Sequence, residues 1–303
     1  MFDKVIVGVD GRQGGQDAIA LARRLVAPGA SVTFAHVYGV PTAAGRAGAL
    51  ALPLELEAAE QLVGREAGRS GLVAQPAAIH ESSVGRGLHE FVEQRDADLL
   101  VIGSCHRGVL GRTLLGDDTS RALDGARCAV SIAPRGYAAG APASLRLARI
   151  GVCCDVSHES AWALEVARAL GARHRSTIKA LSVISLQSVP YGEPVPEQWP
   201  RIASKLLADE RHRLGDLDDV DGDVTYGDPG EELAAFSAEL DLLIVGSRGY
   251  GPVGRLFAGS TSHYLARHAR CPLLVLPRSA AHRTPEREAE RADAAQQAPA
   301  TAR

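Results

Sequence analysis

The sequence predicts two tandem parallel α/β domains within 303 residues. Three observations carry that prediction. Short apolar runs such as Val5-Ile6-Val7-Gly8-Val9 and Leu242-Leu243-Ile244-Val245 end at aspartate or glycine, as strands buried on both faces do. Segments with apolar residues at helical spacing alternate with them, the pattern of a parallel sheet covered by crossover helices. The whole order then occurs twice: Asp155 follows Asp10 by 145 positions, and Gly246, Gly259 and Cys271 follow Gly103, Gly116 and Cys128 by 143. Offsets that hold across a domain mark an internal duplication. The boundaries are drawn at 1–136 and 146–278, with a linker at 137–145 and a tail at 279–303.

In the first copy, residues 5–9 read as a buried strand ending at Asp10-Gly11. A helix over 16–26 follows, carried by Ala18, Ile19, Ala22, Leu25 and Val26 and stopped by Pro28-Gly29. Residues 31–38 are a second strand, and the stretch 39–52, rich in Ala, Gly and Pro, reads as a flexible excursion. A helix over 54–69, a weak strand near 72–79, a helix over 88–94 and a buried strand over 98–102 come next. Residues 103–118 form a glycine-containing loop, 119–123 start a helix and 129–133 are the last strand. A run of Gly, Ala and Pro at 136–144 supplies the linker. In the second copy, 149–155 repeats the opening strand and its aspartate, 161–170 the first helix and 178–184 the second strand. Residues 241–245 match 98–102, and Arg270-Cys271-Pro272 matches Arg127-Cys128-Ala129. The tail has no large apolar residue, so it cannot bury enough surface to offset its ordering entropy and is predicted to be disordered.

Composition narrows the function classes. A hydrophobic content of 46% and a charged fraction of 23% describe an ordinary folded protein. A formal net charge of −3 provides no general attraction to nucleic acid or to an anionic membrane. No apolar run approaches the roughly 20 residues of a membrane span, and the N-terminus runs straight into a strand without a signal-peptide pattern. A cytoplasmic location is the expectation. The five cysteines show neither a disulfide framework nor a zinc spacing; Cys153 and Cys154 read as inert core thiols at a strand end. The ten histidines lack the pairing with carboxylates that zinc enzymes use, so no metal site is expected.

The chemistry concentrates in residues 241–277. A strand there runs into Gly246-Ser247-Arg248-Gly249, then nine residues, then Gly259-Ser260-Thr261-Ser262, a helix over 263–268 and a closing strand over 272–276. Small-residue turns at a strand's carboxyl end let backbone N–H groups approach an anion, and the positive end of the next helix points to the same place. Two readings follow. The glycines can serve tight turns alone, with Ser260 capping the helix, or the loop can hold nucleotide phosphates.

These residues resemble the universal stress protein family. The pattern Gly-x2-Gly-x9-Gly-(Ser/Thr) is met by Gly246, Gly249, Gly259 and Ser260, after the strand that begins at Asp241. The opening at 5–11, the strand end His36-Val37-Tyr38 and the Cys271-Pro272-Leu273-Leu274-Val275-Leu276 ending are also similar to that family, so the resemblance covers nearly all of 1–277 as a tandem pair. It implies a five-stranded, Rossmann-like parallel α/β sandwich of the adenine-nucleotide-binding type in each half. It also implies that the last strands of the two halves pair within the chain as an intramolecular pseudo-dimer, with a further homodimer left open. ATP, with or without Mg, is the implied ligand. By the family pattern Asp155 faces adenine and ribose, Val183 flanks the base, Gly246, Arg248 and Gly249 line the ribose and phosphates, and Gly259, Ser260, Thr261 and Ser262 cradle the phosphates. Arg255 either reaches a phosphate or is a solvated loop cation.

The first copy departs from this pattern. Asp10, Val37, Gly103 and Gly116 are in place, but His106 stands where the second copy has Gly249, and Asp117-Asp118 where it has Ser260-Thr261. Two like charges ~4 Å apart at an effective dielectric of about 20 repel by about 4 kcal/mol, enough to erase micromolar binding. A degenerate first site is therefore expected: empty, bridged by a cation, or taking a ligand without phosphate. Arg112 has the option of pairing with Asp117 and closing the loop.

Neither a P-loop nor a Gly-x-Ser-x-Gly elbow is present. The phosphate loop carries no lysine and no evident general base, so fast ATP hydrolysis is not expected. The leading expectation is an ATP-binding stress or regulatory module that is not an enzyme. The alternatives are an interaction protein with vestigial sites and a slow ATP hydrolase.

Overall fold

The computed structural model describes residues 2–39, 52–104, 126–140, 146–155, 157–185, 199–247 and 259–277. The first half contains β1 (Lys4–Gly8), α1 (Gln13–Leu25), β2 (Ser31–Tyr38), α2 (Leu52–Arg69), β3 (Ala74–His80), α3 (Val84–Arg95), β4 (Leu99–Gly103) and β5 (Ala129–Ala133). A short helix, α4 (Tyr137–Gly140), follows. The second half contains β6 (Arg149–Cys153), α5 (His158–His174), β7 (Thr177–Ile184), α6 (Trp199–Gly215), β8 (Asp221–Tyr226), α7 (Pro229–Phe236), β9 (Leu242–Gly246), α8 (Ser260–His268) and β10 (Leu273–Leu276).

The strands form one ten-stranded sheet in the order β3-β2-β1-β4-β5-β10-β9-β6-β7-β8. Within each half every pairing is parallel. The halves meet where β5 and β10 pair antiparallel, Leu273 opposite Ile132, Leu274 opposite Ser131 and Val275 opposite Val130. The predicted fold and the pairing of the last strands are both present. Ser131, fully buried, donates its hydroxyl to the Leu273 carbonyl across this seam at 3.1 Å. Leu274 stands at the repeat-equivalent position, so this bond is made once and not twice.

The layers follow from the alternation of side chains along each strand. Val5, Val7, Phe34, Leu99 and Val101 face α1, where Ala18, Leu21, Ala22 and Leu25 are wholly buried. Ile6, Leu100 and Ile102 face α3 through Leu88, Phe91 and Val92. In α2 the buried residues are Ala59, Val63 and Glu66, a single narrow stripe, because that helix covers the edge of the sheet. The edge strand β3 carries Pro76, whose missing N–H is harmless on an unpaired edge. Each half also ties its first strand to its fourth with an aspartate. Asp98 accepts from Asp3 N at 2.7 Å, and Asp241 accepts from Ala148 N at 2.7 Å and Arg149 N at 2.9 Å.

Several boundaries differ from the sequence reading. Helix α5 begins at His158 rather than at 161, and α8 at Ser260 rather than at 263. The region 199–236, given no element in the sequence reading, holds α6, β8 and α7 and completes the second five-stranded unit. The expected linker begins as a docked helix: wholly buried Asp17 of α1 accepts from Gly136 N at 2.9 Å and Ala138 N at 2.8 Å. Tyr137 then lies over the Arg24 guanidinium, 5.1 Å from ring centroid to charge. The excursion at 40–51, the loop at 105–125 and the tail at 278–303 lie outside the described residues.

Candidate functional site

In an open parallel sheet, ligands sit where the strand order reverses, at the carboxyl ends of the strands flanking that point. In the second half the chain passes from β6 outward to β7 and β8, then returns to place β9 and β10 on the other side. The reversal lies between β6 and β9, paired through Ile150 and Leu242, Gly151 and Leu243, and Val152 and Ile244. Asp155 follows β6, Gly246 ends β9, and Val183 lies near the end of β7 beside β6. Helix α8 starts the return from β9 to β10, so its N-terminus lies on the same edge. Asp155, Val183, Gly246 and Gly259 to Ser262 thus share one edge of the sheet. Arg248, Gly249 and Arg255 lie outside the described residues.

The side chain of Asp155 is held by a serine network. Its Oδ1 accepts from Ser157 N at 2.8 Å and from the Ser157 hydroxyl in a shorter bond. Ser157 is the N-cap of α5 and accepts from Ser160 N at 3.2 Å, while Ser160 Oγ accepts from Asp155 N at 2.9 Å. The cap satisfies the helix, so the aspartate itself does not have to. The sequence reading began this helix at 161 and so missed Ser157 and Ser160. The signal was available: serine before a helical segment is an N-cap pattern.

Helix α8 is built differently. Its N-cap is Gly259, with no side-chain cap, and Ser260, Thr261 and Ser262 are its first three residues. The first intrahelical bond runs from His263 N to the Gly259 carbonyl at 3.1 Å, so the N–H groups of the three residues before it have no intrahelical partner. Ser260 is exposed, Thr261 half-buried and Ser262 buried. The capping role considered for Ser260 is not the one it has here; it presents its hydroxyl and N–H at the open end of a helix. That end carries the positive pole of the helix dipole.

Behind Asp155 lies a second polar group that the sequence reading did not single out. Ser182 on β7 donates to Glu210 Oε1 at 2.6 Å, and Glu210 pairs with Arg213 one turn along α6. The Arg213 bond holds the Glu210 carboxyl below its ordinary range and raises the guanidinium in turn. Burial pushes the Cys154 thiol up and the Cys271 thiol up to about 12, which keeps both in the unreactive thiol form.

The first half has the same frame, with its reversal between β1 and β4. Asp10 follows β1, Val37 lies on β2 and Gly103 ends β4. Here the aspartate itself holds the helix, because Asp10 Oδ1 accepts from Arg12 N at 2.9 Å and from Gly15 N at 2.9 Å. A Cβ at Gly15 would lie 2.8 Å from that oxygen. Ser160, which stands at the equivalent place, could not occupy it. Gly103 is closer still: a Cβ there would lie 2.1 Å from the Gly14 carbonyl oxygen, so the first turn of α1 presses on the strand end. The adjacent Ser104 hydroxyl is buried and has no hydrogen-bond partner among the described residues. His106, Arg112, Gly116, Asp117 and Asp118 lie outside the described residues.

Among the described residues no group of three His, Cys, Asp or Glu side chains could hold a metal ion, and no helix is long and apolar enough to cross a membrane.

Comparison with known proteins agrees with this frame. A sequence model of the Universal stress protein family matches residues 1–134 and 147–277. A universal stress protein of Mycobacterium tuberculosis is 29% identical over 207 residues, covering 64% of this chain and 69% of its own. A universal stress protein of Thermus aquaticus is 33% identical over 130 residues, covering 40% of this chain and 93% of its own. Among solved structures, a universal stress protein from Archaeoglobus fulgidus superposes with a TM-score of 0.62 at 16% identity, covering 92% of this chain and 99% of its own. A putative universal stress protein from Pseudomonas aeruginosa gives the same TM-score at 15% identity, covering 92% and 95%. These two likenesses concern the fold. This chain belongs to the universal stress protein family and carries two copies of its domain in tandem.

Proposed function

We propose that this chain binds ATP, or a closely related adenine nucleotide, in its second half and acts as a nucleotide-responsive regulatory module. The observation that carries the reading is the shared sheet edge. Asp155 is held there by Ser157 while the uncapped first turn of α8 offers N–H groups and hydroxyls at Gly259 to Ser262. An adenosine over the β6 and β7 ends would meet the Asp155 carboxylate at its ribose and Val183 at its base. The phosphates would then extend toward α8, whose positive end and Ser260 hydroxyl suit an anion. Arg248 and Gly249 complete the set by the family pattern. Bound Mg would travel with the phosphates. On this reading the arrangement serves binding, and its N–H groups and hydroxyls are donors to an anion.

Isothermal calorimetry with ATP, together with analysis of nucleotide released from denatured protein, tests this. Binding or co-purified nucleotide is expected, and the absence of both would overturn the reading. A second reading has a specific observation behind it. The pressed contact of Gly14 on Gly103 and the Asp10–Gly15 bond leave the first half resembling a closed support rather than a receptor. On that reading the first site is vestigial and the half serves as scaffold.

A further inference from the structure

Beyond Val183 a glutamate changes its place between the two copies. Helix α7 repeats α3 at a constant offset of 145, so Gly230, Glu232, Leu233 and Phe236 stand where α3 has Gly85, Gly87, Leu88 and Phe91. Gly227, which follows β8, stands where Glu81 follows β3, at an offset of 146 shared with Val183 and Val37. The backbone confirms the match: Glu81 N donates to the Tyr38 carbonyl and Gly227 N to the Ile184 carbonyl, both at 3.1 Å. The first half thus has glutamate after the strand and glycine on the helix. In the second half the two are exchanged.

Sterics couple the two positions. A Cβ at Gly87 would lie 3.1 Å from the Glu81 Cβ and 3.1 Å from a Val37 methyl, so that point on the helix lies against the valine of the base position. Glu232 has its Cβ at the equivalent point and reaches from there over the end of β8. A Cβ at Gly227 would lie 2.7 Å from Glu232 Oε1, so the glycine makes room for the carboxylate.

The two glutamates are engaged differently. Glu81 Oε1 accepts from Ser82 N at 2.6 Å and from the Ser82 hydroxyl at 2.8 Å. Glu232 is half-buried, and its carboxylate has no hydrogen-bond or ion-pair partner among the described residues. The helix does not require it. Asp228 caps α7 through Gly230 N at 2.8 Å and Glu231 N at 3.1 Å, and Glu231 already places a negative charge in the first turn.

We propose that Glu232 is a specificity-determining residue of the second site, its carboxylate accepting a hydrogen bond from the N6 amino group of adenine. This assignment rests on the nucleotide reading above. The ends of β6, β7 and β8 follow one another at about 4.8 Å and carry, in order, Asp155, Val183 and the Glu232 carboxylate. A nucleoside with its ribose at Asp155 and its base on Val183 turns the far edge of the base toward Glu232. Adenine carries its amino group on that edge, and an ionised carboxylate only accepts.

The test measures Kd for ATP and for purine riboside triphosphate, which has hydrogen in place of the N6 amino group. It uses the full chain, Glu232→Ala and Glu232→Gln. A hydrogen bond to a charged group is worth about tenfold or more, so Glu232→Ala should lower the wild-type preference for ATP by about that factor. Glu232→Gln, whose amide oxygen still accepts, should lower it by less. Structural damage alone weakens both nucleotides alike and leaves the ratio unmoved. A preference as large in both variants as in the wild type would overturn the assignment while leaving nucleotide binding in place. A wild type that binds neither nucleotide would overturn the nucleotide reading and this assignment with it. Should Glu232→Ala fail to fold, Glu232→Gln decides on the same ratio.

Discussion

In the first half the carboxylate after β1 belongs to the helix that follows it; in the second, a serine stands between the two. Asp10 accepts directly from Gly15 N in the first turn of α1, whereas Ser157 caps α5 and Asp155 rests on Ser157. The difference traces to one pair of positions. Glycine at 15 lets the carboxylate approach the helix N-terminus, and serine at 160 blocks that approach while its hydroxyl takes the Asp155 N–H. One duplicated frame thus sets its aspartate on the first turn of the helix in one copy and on the N-cap serine in the other. A similar exchange lies deeper. Ile6 is buried in the first half where Gly151 stands in the second, and a Cβ at 151 would lie 2.1 Å from a Leu240 methyl. The two cores fill the same space from opposite sides.

This contrast can be broken by mutation, and the largest expected effect is at Gly103. Gly103→Ala drives a methyl into the Gly14 backbone and should cost about 3 kcal/mol, the upper range for overpacking, read as a fall in the urea midpoint. Unchanged stability would mean that the α1 turn does not press on β4. Next, Ser260→Asp should lower ATP affinity by about 100-fold or more, because it places a carboxylate where phosphates would lie. Asp117→Ser should change affinity much less, and equal effects from the two would show that the assignment of the sites is wrong.

The aspartates give a smaller and more discriminating effect. Asp10→Ala removes the acceptor of two backbone N–H groups and should cost about 1–2 kcal/mol of stability with little change in ATP binding. Asp155→Ala leaves the Ser157 cap in place; it should cost less stability and most of the binding. Thermal melts and calorimetry on both variants would expose any reversal. The smallest effect concerns pH. Glu210 has its carboxyl lowered by Arg213, so its contribution is present above its ordinary value of 4.5 and is lost as pH falls through the lowered one. Glu210→Gln should flatten that part of the acid stability profile by less than about 1 kcal/mol, since the Arg213 partner is partly solvated.

The fold was legible because its signals are local and doubled. Strand runs such as Val5 to Val9 alternate with helices of 3.6-residue period, and a constant offset removes ambiguity that one copy would leave. The part of the second half around β8 was not legible. Asp221-Gly222-Asp223 has no apolar residue to mark a strand, yet it pairs at the sheet edge with Lys179, Ala180 and Leu181, where a charged exposed face is tolerated. The starts of α5 and α8 were misplaced for one reason: Ser160, Ser260, Thr261 and Ser262 have weak helix propensity, and their place in the first turn comes from orphan N–H groups. Of the candidate site, the glycines and Asp155 could be found from spacing. The bond from Asp17 to the start of α4, the Ser182–Glu210 bond and the meeting of α1 with α5 join residues 28 to 150 positions apart, and no local pattern encodes them.

The stoichiometry of ATP binding tests the central claim of unequal halves most directly. Calorimetric titration of the nucleotide-free full chain should give one ATP per chain, lost in Ser260→Asp and retained in Asp10→Ala. Two equivalents, or one equivalent that survives Ser260→Asp, would contradict it.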